Sequence, residues 1–346
     1  VMPYPFPRDL RTILAHAFNT RTESHLHWRA LPGLAPWLWQ YWRNGTQERV
    51  MRTARAANPL IQACLAAHMT WIEEADMRHL VRETGYLKVF RDAGELDTAT
   101  AASQRLQDMF EITYQPLDRQ GINDLEPHLT GPFAGGVLVD QPVSVSDPSA
   151  LGKAYVELFT KAGGEFLTGD ARTLEEVAGD WQLQSADGPI SGTNAVIALG
   201  PWSGEVLRQV TGRRVPLAAK RGYHMHYGAQ GNAGLSRPVL DTDYGYVITP
   251  MAGGIRLTTG AEFASMNAPP TPVQLDRAEP IARKIFPLGE RLEEKPWLGR
   301  RPCTPDMLPV IGAVPGHKGL WANFGHHHLG LTLGPITGQL LAEMIT

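Results

Sequence analysis

The sequence predicts an α/β chain, α+β overall, in which strand–helix alternation sits beside an antiparallel sheet. Three observations predict it. Residues 1–90 carry apolar positions at helical spacing, residues 135–210 alternate short apolar strands with helices, and residues 215–262 read as successive strands. No stretch repeats internally and none is of low complexity.

The elements follow in order. Leu26–Trp42 carries Trp28, Trp37, Trp39 and Trp42, with Pro32 and Pro36 as breakers, and these tryptophans are expected in the core. From Gln47 to about Arg82 the positions Val50, Ala54, Ala57, Ile61, Leu65, Met69 and Ile72 follow a helical stripe. Tyr86–Phe90 reads as a strand, Leu96–Phe110 as a helix, Leu125–Leu129 as a loop and Gly135–Val139 as a strand. Asp147-Pro148 is a helix start, with Asp147 as N-cap and Pro148 at the first position, and Gly163-Gly164 is its stop. Strands are expected at Glu165–Thr168, Trp181–Ser185 and Asn194–Leu199, and a helix from Gly200-Pro201-Trp202 to Val210. Antiparallel strands are expected at Val215–Tyr227, Arg237–Leu240, Tyr244–Thr249 and Ile255–Glu262, then a helix at Pro272–Phe286. A Pro-rich loop at Arg301–Pro309, a strand at Gly319–Asn323 and a helix at Leu329–Ile345 close the chain.

Composition narrows the function. The 346 residues carry a net charge of −3, so no global field draws in nucleic acid, and an acidic substrate needs a local arginine. Two cysteines, Cys64 and Cys303, give no disulfide framework and suit a reducing, cytoplasmic setting. No apolar run reaches the ~18 residues of a membrane span.

Three stretches carry chemistry. In Ala195–Ser203 an apolar strand ends at Ala198 and turns through Gly200-Pro201-Trp202, where backbone can approach a ligand closely. The spacing there is wrong for a Gly-x-Ser-x-Gly nucleophile elbow. In Gly299-Arg300-Arg301-Pro302-Cys303-Thr304-Pro305-Asp306, prolines stiffen a segment that presents arginine, the side chain that clamps a carboxylate with two parallel hydrogen bonds. In Gly325-His326-His327-His328-Leu329-Gly330-Leu331-Thr332, a strand enters a glycine-containing loop and a helix begins. Its N-terminus offers unpaired N–H groups to an electron-rich edge.

In this order the three stretches resemble the D-amino-acid oxidase/dehydrogenase superfamily of FAD proteins, nearest its bacterial D-amino-acid dehydrogenase branch. The match lies in Ala-x-Gly-x-Trp-Ser, Gly-x-Arg-Pro-x-Thr-Pro-Asp and Gly-His-x-x-x-Gly-x-Thr. The resemblance covers nearly the whole chain, with residues 1–120 contributing weakly. It implies an enzyme that oxidises the C–N bond of a D-amino or imino acid with FAD and passes electrons to a quinone, a carrier protein or oxygen. A quinone acceptor leaves peripheral association with the inner membrane open, and oligomeric state is unspecified. It implies a Rossmann-like FAD-binding sheet formed by residues 144–212 and 301–346, interleaved with a substrate domain formed by residues 1–143 and 213–300. Arg301 matches the carboxylate-binding arginine, and Tyr246 lies near a family tyrosine, offset by about a residue. Ala198, Gly200, Trp202, Gly325, His326, His328, Leu329, Gly330, Leu331 and Thr332 match segments that meet the cofactor. Ala171 and Arg172 lie near the adenine-contacting strand.

The family's opening βαβ unit, with Gly-x-Gly-x-x-Gly, has no counterpart in these residues; Gly131–Gly136 lacks the spacing and the following helix. The expectation is a truncated chain that lacks roughly 65–75 residues of the family's length, one that alone does not hold FAD tightly. Two rivals remain: an inactive fragment of such an enzyme, and a metallohydrolase using His224, His226, His326 and His328. The second lacks His-Glu-x-x-His and neighbouring carboxylates.

Overall fold

A computed structural model describes residues 4–346. The first third holds α1 (Leu10–Ala17), β1 (Ser24–Leu26), α2 (Leu31–Asn44), α3 (Gln47–Glu74), β2 (Val81–Arg82), β3 (Tyr86–Phe90), α4 (Ala93–Phe110), β4 (Tyr114–Leu117) and α5 (Arg119–Leu125). The middle holds β5 (Gly135–Val139), β6 (Ser144–Val145), α6 (Pro148–Lys161), β7 (Gly169–Val177), β8 (Asp180–Ser185), β9 (Gly188–Gly192), β10 (Ala195–Ile197) and α7 (Ser203–Thr211). Then come β11 (Ala218–Ala229), β12 (Val239–Asp241), β13 (Tyr246–Met251), β14 (Gly254–Thr258), β15 (Ala261–Phe263), α8 (Val273–Ile285), β16 (Leu288–Arg291), β17 (Trp297–Cys303), β18 (Val310–Ala313), β19 (Leu320–Phe324) and α9 (Gly330–Ile345).

The largest sheet runs β1-β15-β11-β14-β13-β12-β3-β5-β4, with β16 and β17 also paired to β11. Side chains alternate along β11. Arg221, Tyr223, Met225 and Tyr227 point into the core, whereas Lys220, His224 and His226 share the other face. The core face packs Leu87, Val89, Tyr223, Met225, Ile248 and Leu257 against Leu275, Ala278 and Ile285 of α8. On the opposite face α2 covers one end, where Trp37 and Tyr41 meet Ala218, Cys303 and Phe263. Beyond that cover lies the candidate site.

A second, smaller sheet, β10-β19-β18, pairs β10 and β19 in parallel, with Ile197 opposite Ala322. Its core joins Ile197, Leu320, Ala322 and Phe324 to Val206 and Leu207 of α7 and to Leu174 and Trp181 of the β7-β8-β9 meander. The long α3 packs on α9 and α6, linking the N-terminal helices to this smaller unit.

The α6 start forms as expected: Asp147 Oδ1 accepts from the Ser149 and Ala150 amides at 3.0 Å each. Asp147→Ala should cost about 1 kcal/mol, measured as a lowered urea midpoint with unchanged slope.

Several expectations are corrected. Trp37 is buried, but Trp28, Trp39 and Trp42 are exposed. The buried stripe of α2 is the i,i+4 pair Trp37 and Tyr41, which turns Trp39 outward, where Arg43 stacks on it at 4.7 Å. The strand expected at Glu165–Thr168 begins instead at Gly169, where pairing with Ser185 starts. The strand expected at Ile255–Glu262 breaks into β14 and β15. At Gly260 the backbone comes so close to the Glu23 carbonyl that a Cβ would overlap it. Arg301 lies in strand β17 rather than in a loop. Pro302 is tolerated because β17 pairs with β11 alone and is an edge strand. The boundary expected at 300/301 therefore falls inside a strand of the large sheet.

Candidate active site

Arg301 and Lys220 are direct cross-strand neighbours on β17 and β11 and share the face opposite the core. The Arg301 guanidinium bends over Gly222, where an added Cβ would lie 2.6 Å from both terminal nitrogens. There Nη1 donates to the Gly260 carbonyl at 2.7 Å and Nη2 to the Thr259 carbonyl at 3.2 Å. Both carbonyls come from the break between β14 and β15, so the irregularity positions the arginine. The terminal nitrogens carry further N–H groups that these two bonds leave free. Burial pushes the Arg301 pKa down, and no carboxylate lies within 4.0 Å of it among the described residues.

The same rung meets the loop that precedes α9. The His327 amide donates to the Pro302 carbonyl at 3.0 Å, the Thr304 hydroxyl and His327 Nε2 lie 2.9 Å apart, and Cys303 bridges to His326. His328 keeps an exposed ring surface and meets Tyr4 edge-on, with centroids 5.4 Å apart. The protein mass around it, then Arg301 and Lys220, bring its pKa down to about 4, so it is neutral at pH 7. Burial and then Lys220 bring His327 down to about 3. His326 Nε2 lies 3.2 Å from the Thr337 hydroxyl, which anchors the loop to α9.

Leu329, at the N-cap of α9, offers no side-chain acceptor, so the first-turn amides of Gly330, Leu331 and Thr332 point outward without caps. The buried His68 of α3 braces this turn, with Nε2 2.8 Å from the Leu331 carbonyl and Nδ1 2.7 Å from the Tyr155 hydroxyl. The parallel strands β10 and β19 end side by side, one running into Ala198 and Gly200, the other into Gly325. The turn Gly200–Trp202 packs against β17. An added Cβ at Gly200 or Gly330 would meet no atom within 4 Å. The buried Ser203 hydroxyl and the Asn323 side-chain oxygen have no partner. Open glycines and an uncapped helix N-terminus thus stand beyond the carboxyl ends of parallel strands, the kind of place where open α/β sheets receive dinucleotides.

The structure thus brings together Arg301, His326, His328, Leu329, Gly330, Leu331 and Thr332, with Ala198, Gly200 and Trp202 beside them. It does not bring Tyr246 to them. Ile248 faces Leu257, and Leu257 faces Met225, so Tyr246 shares the core face, on the far side of the sheet from Arg301. Its hydroxyl has no well-aligned partner, and burial followed by the Asp241 carboxylate pushes its pKa up. Arg172 is exposed and paired with Asp170 at 2.7 Å, while Ala171 packs on the smaller core. His224 stacks on Trp297 at 4.7 Å, and His226 pairs with Glu293. Among the described residues no group of three His, Cys, Asp or Glu could hold a metal.

Sequence reasoning missed Lys220, Gly222, Thr304, His327, Tyr4, Trp37 and Tyr41. The alternation Lys220-x-Gly222-x-His224-x-His226 is a signal that could have placed the first two on one strand face.

The chain is 28% identical over 331 residues to a D-amino-acid oxidase of Bradyrhizobium diazoefficiens, spanning 93% of this chain and 77% of that protein. It is 28% identical over 274 residues to a D-amino acid dehydrogenase of Paramagnetospirillum magneticum, spanning 76% of this chain and 63% of that protein. Its fold resembles glycine oxidase from Geobacillus kaustophilus with a TM-score of 0.69 and 23% identity, over 83% of this chain and 78% of that one. Residues 24–344 match the model of the DAO family, FAD dependent oxidoreductase, so the chain belongs to that family and its cofactor is FAD.

Proposed function

We propose that the protein oxidises the C–N bond of a D-amino acid or a related imino acid. The observation that carries this reading is Arg301, a half-buried guanidinium with no counter-ion among the described residues, tied through Pro302 and Thr304 to the loop that opens α9. The two matched proteins named for D-amino acids support the same substrate class.

In this reading Arg301 holds the substrate carboxylate with the N–H groups its two backbone bonds leave free. FAD, when bound, supplies the two-electron acceptor for the hydrogen on Cα. Ala198, Gly200 and Trp202 on one side and Gly325, His326 and His328–Thr332 on the other would hold it, with the uncapped amides of α9 facing its negative edge. Ala171 and Arg172, on the meander, are assigned to its adenine end through the family resemblance alone. No carboxylate base stands beside Arg301, and none is needed once the amine is neutral, because positioning lowers the barrier. The imine product hydrolyses in water to a 2-oxo acid and ammonia. A quinone, a carrier protein or oxygen takes the electrons onward; a quinone would bring the protein to the inner-membrane surface. No helix of the described residues is long and apolar enough to cross a membrane.

The test mixes flavin-loaded protein anaerobically with D- and L-amino acids and N-alkyl amino acids, following flavin bleaching and 2-oxo acid. Bleaching by D-amino or imino acids with matching 2-oxo acid is the expected result; bleaching by none of them defeats the proposal. Gly222→Ala should raise KM about 10-fold or more with little loss of stability, because its methyl evicts the guanidinium from its carbonyl seat. An unchanged KM would show that Arg301 does not work from this seat.

A further inference from the structure

We infer that the substrate carries two carboxylates, one held by Arg301 and the other by Lys220, which makes a short dicarboxylic amino acid the preferred substrate; this rests on the function proposed above. In and beside the large sheet, three cations have carboxylate partners: Arg221 with Glu262 at 2.7 Å, Arg91 with Asp241 at 2.6 Å and Arg237 with Glu126 at 3.0 Å. Among the described residues Arg301 and Lys220 have no such partner, and neither do Lys88, which lies over the Tyr86 ring, and Arg256, which meets His226; what sets Arg301 and Lys220 apart is that they are side by side. They are adjacent, like-charged and set in the protein, and among the described residues neither lies within 4.0 Å of a carboxylate. Two uncompensated cations on one rung are costly in the folded chain, and an anion with two charges removes that cost.

The surroundings of Lys220 support an anion rather than a structural role. Its ammonium sits among the rings of Tyr41, Trp37 and Phe263, at 3.8, 5.4 and 5.7 Å from their centroids. Ring faces stabilise a cation without accepting conventional hydrogen bonds, and the ammonium makes none to the described residues, so its donors remain available. Neighbouring strands lie about 5 Å apart, so two carboxylates separated by a short carbon chain can reach both cations. The charged and titratable groups facing Lys220 are Arg301 and Cys303 from β17, His327 and His328 from the loop before α9, and Tyr41 from α2. Burial, with Arg301, brings the Lys220 pKa down to about 8. Preference for a second carboxylate should therefore fade as pH rises through that value.

The experiment uses flavin-loaded protein and ligands that cannot be oxidised: succinate and glutarate against butyrate and valerate, measured by calorimetry. The wild type should bind each dicarboxylate about 10-fold or more tightly than the monocarboxylate of equal length. Lys220→Met keeps the apolar stem in its aromatic box and should bring that ratio to near one; Lys220→Gln serves if Lys220→Met does not fold. A wild-type ratio near one, or a ratio that survives in the folded variant, overturns the inference. So does a variant that shifts the flavin reduction potential while keeping the ratio, since Lys220 would then serve the cofactor. Arg301→Met separates the two readings. Unchanged binding of the monocarboxylates there defeats the carboxylate anchor of the proposed function, whatever the Lys220 result.

Discussion

Arg301→Ala should raise KM for the amino-acid substrate by two to three orders of magnitude while the flavin stays bound, because the lost charged pair is worth on the order of 2–5 kcal/mol. The size follows from the seat of the guanidinium. It reaches over Gly222, is fixed by the Gly260 and Thr259 carbonyls, and has no carboxylate among the described residues to share its charge with. A substrate carboxylate therefore meets a pre-set fork and displaces no competing ion pair. Arg301→Lys should recover only part of the loss, since an ammonium cannot form the two parallel bonds. Steady-state KM and the substrate dependence of anaerobic flavin bleaching both report the change, and the resting flavin spectrum checks that the cofactor is retained. A KM within twofold of wild type would remove Arg301 from the substrate site.

That the Arg301 segment and the loop that opens α9 belong to one place was legible because each lies in a local pattern, Arg-Pro-x-Thr-Pro-Asp and Gly-His-x-x-x-Gly-x-Thr, and the structure brings the two into contact. Helix starts such as Asp147-Pro148 were legible for the same reason: cap, proline and apolar stripe sit within one turn. What failed depended on register. Tyr246 was matched with an offset of one residue, and in a strand one residue is the difference between two faces of the sheet. The structure puts Val247, not Tyr246, on the Arg301 face. Lys220 and Gly222 become neighbours of Arg301 only when β11 pairs with β17 across some eighty positions of sequence, which no local window reveals. The exposed tryptophans mislead in the other direction. Hydrophobicity predicts burial, but α2 has one buried stripe and Trp39 stands off it.

Glu262→Ala should destabilise the protein by about 3–5 kcal/mol, the cost of leaving a buried cation unpaired. Glu262 and Arg221 are both fully buried, with Nε to Oε2 at 2.7 Å, and the Tyr223 hydroxyl donates to the same oxygen at 3.0 Å. The other oxygen meets His27 Nε2 at 2.8 Å and the Thr271 hydroxyl. Arg221 also donates to the carbonyls of Ala268 at 2.5 Å and Pro269 at 2.9 Å. One carboxylate thus gathers β11, β15, the end of β1 and the segment leading into α8. Glu262→Gln keeps the shape but not the charge, so it should also destabilise, by less than alanine. The double variant Arg221→Met, Glu262→Ala should recover much of the stability, because the stranded cation is gone. Urea midpoints of the three variants measure this; a single-variant loss under about 1 kcal/mol, or no recovery in the double, would mean the pair is not what holds these segments. The consequence reaches the site. Thr259 and Gly260, whose carbonyls seat Arg301, lie three and two residues before Glu262, and Lys220 and Gly222 flank Arg221 on β11. Folded molecules of the single variants should therefore show a raised KM in addition to lower stability, whereas a core cavity of equal cost under α8, such as Leu275→Ala, should lower stability and leave KM alone.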